Sequence, residues 1–328
     1  MRPSSVFNAA RIRSLDSKLL TNEKVHKLLA ADSAEEVFSM LADYGFYSGE
    51  GIDKDNYEAV IKKDFHDTCR FLREEISNAG TAELFFCGYD YHNAKVFFKS
   101  ESSKSGSGED AVIDEGLIEY KKLKEYLSSK NYDFLPRPMR EALRQLEKDS
   151  SDIAVNIGTA MDVAYSCDVE ERLKDISDEF AQKYFRVLFD YSNMIMFIRM
   201  KRAGVRKRSF EDCLMKSSSL NTMLVQFYDK EEKDLPSLFP KTDYADGFAE
   251  GYSYLNENGS FAMFQKKRDD AIMSLITEYS KDIGSDAPMI GYLTAKQREI
   301  NAVRTVIIAK LYGIPEEKIA EILPVQMH

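Results

Sequence analysis

The stretch PMIGYLTAKQREINAVRTVIIAKLYGIPEEKIAEIL, residues 288–323, predicts a helix, a turn and a second helix. In the first helix Ile300, Val303 and Ile307 recur three and four residues apart. This spacing lines one face of a helix with 3.6 residues per turn, and Arg298 lies off that stripe. The stretch therefore predicts a long amphipathic helix with its apolar face turned to a core.

The end of this helix is marked by Gly313, and the second helix opens at Pro315. Glycine suits the left-handed position that follows many helices, and proline suits the first helical turn. Glu316 and Glu317 then stand where negative charge favours the positive end of the helix dipole. We therefore predict a helical hairpin.

Related patterns recur along the chain, each built around an asparagine on a helix. The sequence Asn8-Ala-Ala-Arg resembles Asn301-Ala-Val-Arg, and Asp-Tyr-His-Asn93 resembles Asp-Tyr-Ser-Asn193. A buried asparagine on a helix seam fixes the register of packed helices at some loss of stability. We interpret the four positions as structural repeat positions, and a role at a binding surface is the alternative.

The fold class predicted from these repeats is all-α, because the prolines leave long uninterrupted spans with helical apolar spacing. Pro-rich boundaries near Leu135 and Phe239 divide the chain. We expect a first helical unit with the N-terminal helices over residues 1–135, a second over 136–240 and a third over 241–328.

Several local expectations accompany this division. Residues 33–36, Ser-Ala-Glu-Glu, have the form of a capping box ahead of a helix. Residues 82–99 are ambiguous between strand and helix, and their likeness to the later asparagine helices favours helix. Residues 100–108 have the composition of a mobile loop. A helix break is expected within 166–177. Residues 244–258 are rich in Gly and Tyr and are expected to be partly irregular.

Composition limits the classes of function. The 328 residues are 44% hydrophobic and 30% charged, with a net charge of −10. No window is apolar enough for a membrane helix, and no signal peptide is recognisable, so we expect a cytoplasmic protein. A strongly acidic chain is a poor partner for nucleic acid, whose phosphates require a basic face.

One compact basic cluster stands out, KRAGVRKR at residues 201–208. Basic residues after a helix favour the negative end of the helix dipole, and a docking patch for an acidic partner is the alternative. The candidate docking residues are Lys201, Arg202, Arg206, Lys207 and Arg208.

Catalytic and metal-binding motifs are missing from the sequence. The four cysteines form no Cys-x-x-Cys pair, and neither a phosphate-binding loop nor a nucleophile elbow is present. His66 and Cys69 would neighbour each other on a helix, which leaves a metal site, or a hydrolase with a cysteine nucleophile, as an alternative. We expect no catalytic site, no cofactor and no metal.

The order of these motifs resembles a known family. FNAARIR at residues 7–13, the helices at Asp90 and Asp190, GYLTAK at 291–296 and the turn at 313–315 together resemble the C subunit of the archaeal and bacterial V-type (A-type) rotary ATPases, the counterpart of the eukaryotic d subunit. The likeness covers residues 6–323.

The resemblance implies three similar helical units in a pseudo-threefold, funnel-like array without an active site. It also implies a non-catalytic socket on the cytoplasmic face of the membrane, peripheral to it. That socket would join the central shaft, made of D-type and F-type subunits, to the proteolipid ring, so that torque links ATP synthesis or hydrolysis to ion translocation. A helical repeat scaffold for soluble protein partners is the alternative that the repeats leave open.

Overall fold

The structure, a computed structural model, describes residues 11–12, 14–46, 51–76, 78–103, 111–148, 153–232, 234–235, 239, 242–282, 285–320 and 323. Every regular element in these ranges is a helix, which confirms the all-α prediction. None of the described helices combines the length and the apolar character that crossing a membrane requires.

The helices are numbered in chain order, and a short 3-10 turn, Tyr132–Phe134, lies between α6 and α7. They are α1 Asn22–Ala30, α2 Ala34–Asp43, α3 Tyr57–Glu75, α4 Ala79–Phe86, α5 Gly88–Ser103, α6 Tyr120–Ser128, α7 Arg137–Lys148, α8 Ile153–Leu173, α9 Glu179–Arg202, α10 Lys207–Glu211, α11 Asn221–Phe227, α12 Ala245–Asn258, α13 Ala262–Tyr279, α14 Ala287–Tyr312 and α15 Glu316–Ala320.

The chain divides into two compact bodies. The terminal body comprises Met1–Ala79 and Ile276–His328, and the central body comprises Gly80–Leu275. Residues from both ends of the sequence therefore share one body. The three helical units expected over 1–135, 136–240 and 241–328 stay a prediction.

The core of the terminal body is formed by α1, α2, α3, α14 and α15. The predicted stripe of Ile300, Val303 and Ile307 lies in this core, packed with residues of α1 and α2 such as Leu28 and Val37. Arg298, off the stripe, is nevertheless buried. A charged residue off the apolar face can therefore still be enclosed by neighbouring elements.

The helical hairpin predicted over residues 288–323 forms. Gly313 has φ +65° and ends α14 in the left-handed conformation, and the Ile314 N–H donates to the Ala309 carbonyl oxygen at 2.9 Å. Helix α15 follows Pro315 and buries Ile319 in the core. The cap and the buried side chain hold the turn in one conformation.

The capping box at residues 33–36 also forms. The Ser33 hydroxyl accepts a hydrogen bond from the Glu36 N–H at 3.2 Å. The Glu36 carboxylate accepts one from the Asp32 N–H at 2.8 Å, one residue before the position of the standard motif. These bonds satisfy backbone donors at the start of α2.

Apolar clusters join the helices of the central body. One lies among α5, α6, α7 and α8; one lies among α4, α8 and α9; and an aromatic one lies among α9, α10, α11, α12 and α13. The residues 82–99 are helical, in α4 and α5, as predicted. The break between α8 and α9 falls at residues 174–178, beginning inside the predicted window.

Residues 244–258 correct a sequence prediction. They were expected to be partly irregular, yet α12 runs unbroken from Ala245 to Asn258. A Cβ at Gly247 would meet the Tyr191 hydroxyl at 2.5 Å, and a Cβ at Gly251 would meet the Phe264 ring at 2.8 Å. These glycines lie four apart on one face of the helix, so they admit close neighbours without breaking it.

Two further expectations fall partly outside the described residues. The repeat pattern places Asn8 on a helix; residues 11, 12 and 14–16 are helical, and Asn8 itself lies outside the described ranges. The expected loop at 100–108 lies outside them from residue 104 onward, and residues 100–103 belong to α5.

Candidate functional site

The asparagine of the first Asp-x-x-Asn sequence binds a loop. Asn93 lies fully buried on α5. Its Nδ2 donates to the Ile113 carbonyl oxygen at 2.8 Å, and the Ile113 N–H donates to Asn93 Oδ1 at 3.0 Å. The side-chain amide thus satisfies one backbone donor and one backbone acceptor of the segment between α5 and α6.

The aspartate of the same sequence binds the same segment farther along. The Asp90 carboxylate, also fully buried, accepts the Leu117 N–H at 3.0 Å and the Ile118 N–H at 3.1 Å. At Gly116 a Cβ would overlap this carboxylate. Asp90 and Asn93 together form the first clamp, which holds the loop that leads into α6.

The second clamp repeats this geometry on α9. Asn193 is fully buried; its Nδ2 donates to the Met215 carbonyl oxygen at 3.1 Å, and the Met215 N–H donates to Asn193 Oδ1 at 3.0 Å. Asn221, at the start of α11, extends the network by accepting from Asn193 Nδ2 at 2.7 Å. The loop between α10 and α11 is therefore bound through its backbone.

Asp190 completes the second clamp and is more fully hydrogen-bonded than Asp90. Its carboxylate accepts the Ser219 N–H at 2.7 Å and three hydroxyls, from Ser218, Ser219 and Tyr244, each at 2.6 Å. Burial, followed by the Asp190 charge, raises the pKa of Tyr244. The hydroxyl therefore stays protonated and donates to the carboxylate.

The structure places the four repeat asparagines differently. Asn93 and Asn193 are both buried, and both bind loop backbone atoms instead of lying at the seam with a facing helix. Asn301 is exposed on α14, and its backbone carbonyl oxygen accepts the Thr305 hydroxyl at 2.7 Å. Asn8 lies outside the described residues.

Burial shifts the pKa of the aspartate in the first clamp. It raises the pKa of Asp90 to about 6, although two backbone N–H groups lower it in part. Nearby, the Tyr91 hydroxyl donates to Asp168 Oδ2 at 3.1 Å, and Arg172 Nε donates to Asp168 Oδ1 at 3.0 Å. Asp168 is thus paired with a cation, whereas the Asp90 carboxylate is held by two backbone N–H groups.

A buried ion cluster lies in the terminal body. Lys296 Nζ on α14 lies 2.6 Å from Asp64 Oδ2 on α3 and 2.6 Å from Glu299 Oε2. The other oxygen, Glu299 Oε1, accepts the Leu20 N–H at 2.6 Å. Burial would lower the pKa of Lys296, but the charges of Glu299 and Asp64 outweigh it and raise the pKa, so the lysine is charged. Burial raises the pKa of both carboxylates.

Sequence reasoning missed this cluster. Lys and Glu in an amphipathic helix normally mark a solvated face, and the pair at 296 and 299 has the ordinary spacing of a surface ion pair. A signal was available in the residues Tyr292, Leu293 and Ile300, which surround the pair with apolar positions. Such a helix is apolar on more than one face.

Part of the candidate docking patch is engaged within the central body. Lys201 Nζ donates to the Tyr228 carbonyl oxygen, as it also does to that of Lys230. Arg202 Nε donates to the Glu232 carboxylate at 2.7 Å. These two residues at the end of α9 satisfy carbonyl and carboxylate oxygens after α11, which is an intramolecular role.

The other residues of the candidate docking patch are more exposed to solvent. Lys207 Nζ lies 2.8 Å from Asp229 Oδ2, an ion pair with a largely exposed carboxylate. Arg206 and Arg208 are exposed. The surface that a partner could meet is therefore narrower than the sequence cluster, with these two arginines at its centre.

The remote catalytic candidate is not assembled. His66 is exposed on α3, whereas Cys69 on the same helix is fully buried. A nucleophile must be reachable by its substrate, so this pair lacks the arrangement that a hydrolase needs. Among the described residues, no group of three or more His, Cys, Asp or Glu side chains could hold a metal ion.

Comparison with known proteins agrees with the resemblance. A sequence model of the ATP synthase (C/AC39) subunit family matches residues 9–322. The C subunit of the A-type ATP synthase of Methanocaldococcus jannaschii is 22% identical to this chain, over 98% of the chain and 86% of the relative. That of Haloquadratum walsbyi is 21% identical over 96% of both, and that of a Desulfurococcus species is 22% identical over 95% of the chain and 88% of the relative.

The match spans nearly the whole sequence, including both clamps and the buried ion cluster. It confirms the resemblance seen in the order of the motifs. The chain belongs to the ATP synthase (C/AC39) subunit family and is a non-catalytic subunit of an ATP synthase of the A/V type.

Proposed function

We propose that this chain is the socket of a rotary A/V-type ATPase, the central-stalk component that couples the central shaft to the proteolipid ring. The observation that carries the proposal is the family match over residues 9–322. The three relatives are each named as the C subunit of an A-type ATP synthase, and each aligns over most of its own length. In this role torque passes through the chain between ATP chemistry and ion translocation.

The clamps support a mechanical role. A coupler transmits torque only if its helices and loops do not yield, and loops are ordinarily the least stable parts of a fold. Here the loops that lead into α6 and α11 are bonded through their backbone to fully buried Asp and Asn side chains. Opening either loop would leave the buried Asp and Asn side chains without their backbone hydrogen-bond partners, which is unfavourable.

The proposed partners are the D-type and F-type shaft subunits on one side and the proteolipid ring on the other. In this assembly the chain is peripheral, at the cytoplasmic face of the membrane. We propose Arg206 and Arg208 as the centre of a docking patch for an acidic partner surface, since both are exposed. Contacts between exposed charges weaken as salt is added.

Co-elution during size-exclusion chromatography tests the proposed assembly. The chain is mixed with the purified shaft subunits, and separately with proteolipid rings in detergent, at low and moderate salt. A one-to-one complex with the shaft and co-elution with the ring are expected. Failure to bind either partner at low salt would contradict the socket proposal and would favour a scaffold for soluble proteins.

A reconstituted ATPase tests the coupling itself. Omitting this chain should leave ATP hydrolysis by the catalytic head in place while ion transport is lost, because the torque has no path to the ring. The variant Arg206→Glu/Arg208→Glu should weaken the salt-sensitive part of the binding. Lys121→Glu/Lys122→Glu, which changes two exposed lysines of α6, is the charge-matched control. Ion transport that persists without the chain would refute the coupling role.

A further inference from the structure

We infer that residues 17–30, here called the N-terminal segment, form the loop and helix of a third clamp, in which Glu299 takes the place of Asp90 and Asp190. The first clamp joins α5 to the loop before α6, and the second joins α9 to the loop before α11. In the third, α14 is joined to the residues before α1, which come from the other end of the sequence. This inference is independent of the proposed function.

The register of α9 and α14 supports the equivalence. Asp190 lies 14 residues before Gly204, and Glu299 lies 14 residues before Gly313. Both glycines follow a helix end with positive φ, at +67° and +65°. Six residues after each glycine a buried apolar side chain follows, Phe210 in one case and Ile319 in the other.

The same correspondence extends to residues before and after these glycines. Five buried apolar residues in and after α9 have a buried apolar counterpart 109 residues later in the sequence. The pairs are Tyr191 with Ile300, Met194 with Val303, Phe197 with Val306, Ile198 with Ile307, and Leu214 with Leu323. A constant offset over these positions identifies the same helix-turn-helix element in both places.

The loops of the three clamps also match one another in their spacing to the next helix. The carboxylates accept the backbone N–H of Ile118, Ser219 and Leu20, and in each case the next helix begins two residues later. Buried side chains then recur five and nine residues after the clamped one. They are Leu123 and Leu127 in α6, Leu224 and Tyr228 in and after α11, and Val25 and Leu29 in α1.

This register explains why Asn301 is exposed. The position equivalent to Asn193 is 302, which is a buried alanine, so the asparagine in the sequence lies one residue away from the clamp position. The third clamp therefore has an alanine where the other two have the asparagine amide. It holds its loop through one oxygen of the Glu299 carboxylate, and the other oxygen pairs with Lys296.

Glu299 is thus a positioning residue for the N-terminal segment. Its two oxygens have separate tasks, since Oε2 pairs with Lys296 and Oε1 accepts the Leu20 N–H. Because α1 contributes Val25 and Leu29 to the terminal core, the clamp sets the register in which α1 packs. Loss of the carboxylate should free the segment before α1 while both clamps of the central body persist.

Hydrogen exchange at single amides of the full chain, measured by NMR, tests the inference. In Glu299→Ala the Leu20 amide should exchange at least about tenfold faster than in the parent chain, as expected for the loss of a buried hydrogen bond to a charged group. Glu299→Gln keeps an oxygen at the same reach and should restore most of that protection. The amides of Ile118 and Ser219 should change less than about twofold.

Asp190→Ala is the matched control and should accelerate exchange at Ser219 but not at Leu20. Equal acceleration at Leu20, Ile118 and Ser219 in Glu299→Ala would indicate global destabilisation and would overturn the assignment. Unchanged protection of Leu20 would overturn it as well. If Glu299→Ala does not fold, Glu299→Asp, whose carboxylate ends one methylene short of Leu20, gives the same comparison with the same two refuting outcomes.

Discussion

Asn193 and Met215 exchange two hydrogen bonds, of 3.1 and 3.0 Å, in which a side-chain amide pairs with a backbone amide 22 residues along the chain. Asn93 and Ile113 make the same exchange 20 residues apart, at 2.8 and 3.0 Å. The geometry resembles one rung of a sheet ladder, with the asparagine replacing a strand. It lets an all-helical protein bury loop backbone without leaving polar groups unpaired.

Asn193→Ala should lower the free energy of unfolding by about 2 kcal/mol. The Met215 N–H loses its buried acceptor, and an unsatisfied buried donor costs about 1–3 kcal/mol. The Met215 carbonyl oxygen keeps a second donor, Asn221 Nδ2 at 2.9 Å, which limits the loss. Urea denaturation followed by circular dichroism measures the change.

Asn301→Ala is the control for this substitution, because the sequence pattern groups the two asparagines and the structure exposes Asn301. Its effect should stay within about 0.5 kcal/mol, as for most surface substitutions. Equal losses for Asn193→Ala and Asn301→Ala would contradict the clamp interpretation.

Gly116→Ala should destabilise the central body. A Cβ at this position would overlap the Asp90 carboxylate, so the loop must move away from the clamp or the carboxylate must leave the Leu117 and Ile118 N–H groups. We expect a loss of about 1–3 kcal/mol. The midpoint of thermal unfolding should fall accordingly.

Gly158 provides the opposite case within the same body. It lies inside α8, and a Cβ there would meet nothing within 4 Å. Gly158→Ala should therefore stabilise the protein by about 0.5–1 kcal/mol, the difference between Ala and Gly in a helix. A lower midpoint for Gly158→Ala, or an unchanged one for Gly116→Ala, would show that local space does not decide these effects.

The helices and the family could be predicted from the sequence because apolar spacing, Gly313 with Pro315, and the order of motifs are local signals. The third clamp could not, since the same role is filled by Asp and Asn in two places and by Glu and Ala in the third. The helical conformation of residues 244–258 was missed for another reason. The glycines at 247 and 251 read as helix breakers until the nearby Tyr191 and Phe264 are seen.

The stability of the protein should depend on pH through Asp90. Its pKa is raised to about 6 in the folded protein, against about 3.9 in an unfolded chain. Between about pH 4 and pH 6 the folded protein holds a proton that the unfolded chain has released. The contribution of Asp90 to the free energy of unfolding therefore falls as pH rises, by up to about 3 kcal/mol across this range.

Asp90→Asn isolates that contribution, because an amide does not titrate. The free energy of unfolding of the parent minus that of the variant should be larger at pH 4 than at pH 7, by up to about 3 kcal/mol. Urea denaturation of the parent and the variant at both pH values gives the four free energies of unfolding. A difference that does not change with pH would mean that Asp90 titrates normally in the folded protein.

Lys296→Met should be the most damaging of these substitutions at neutral pH. The lysine is buried and lies 2.6 Å from both Asp64 and Glu299, so its removal takes away the cation that pairs with both carboxylates. Breaking a buried pair in this way costs about 3–5 kcal/mol. Lys27→Met, which breaks an exposed pair with Glu23, should leave the unfolding midpoint unchanged.

The deficit of Lys296→Met should shrink as pH falls. Burial already raises the pKa of Asp64 and Glu299, and losing the lysine removes the charge that opposes this rise. Both carboxyls then take up protons more readily in the folded variant than in the unfolded chain, so acid stabilises the variant relative to the parent. Urea denaturation of both proteins at pH 5 and pH 7 measures this, and a deficit that is equal or larger at pH 5 would mean that the two carboxylates are not enclosed with Lys296.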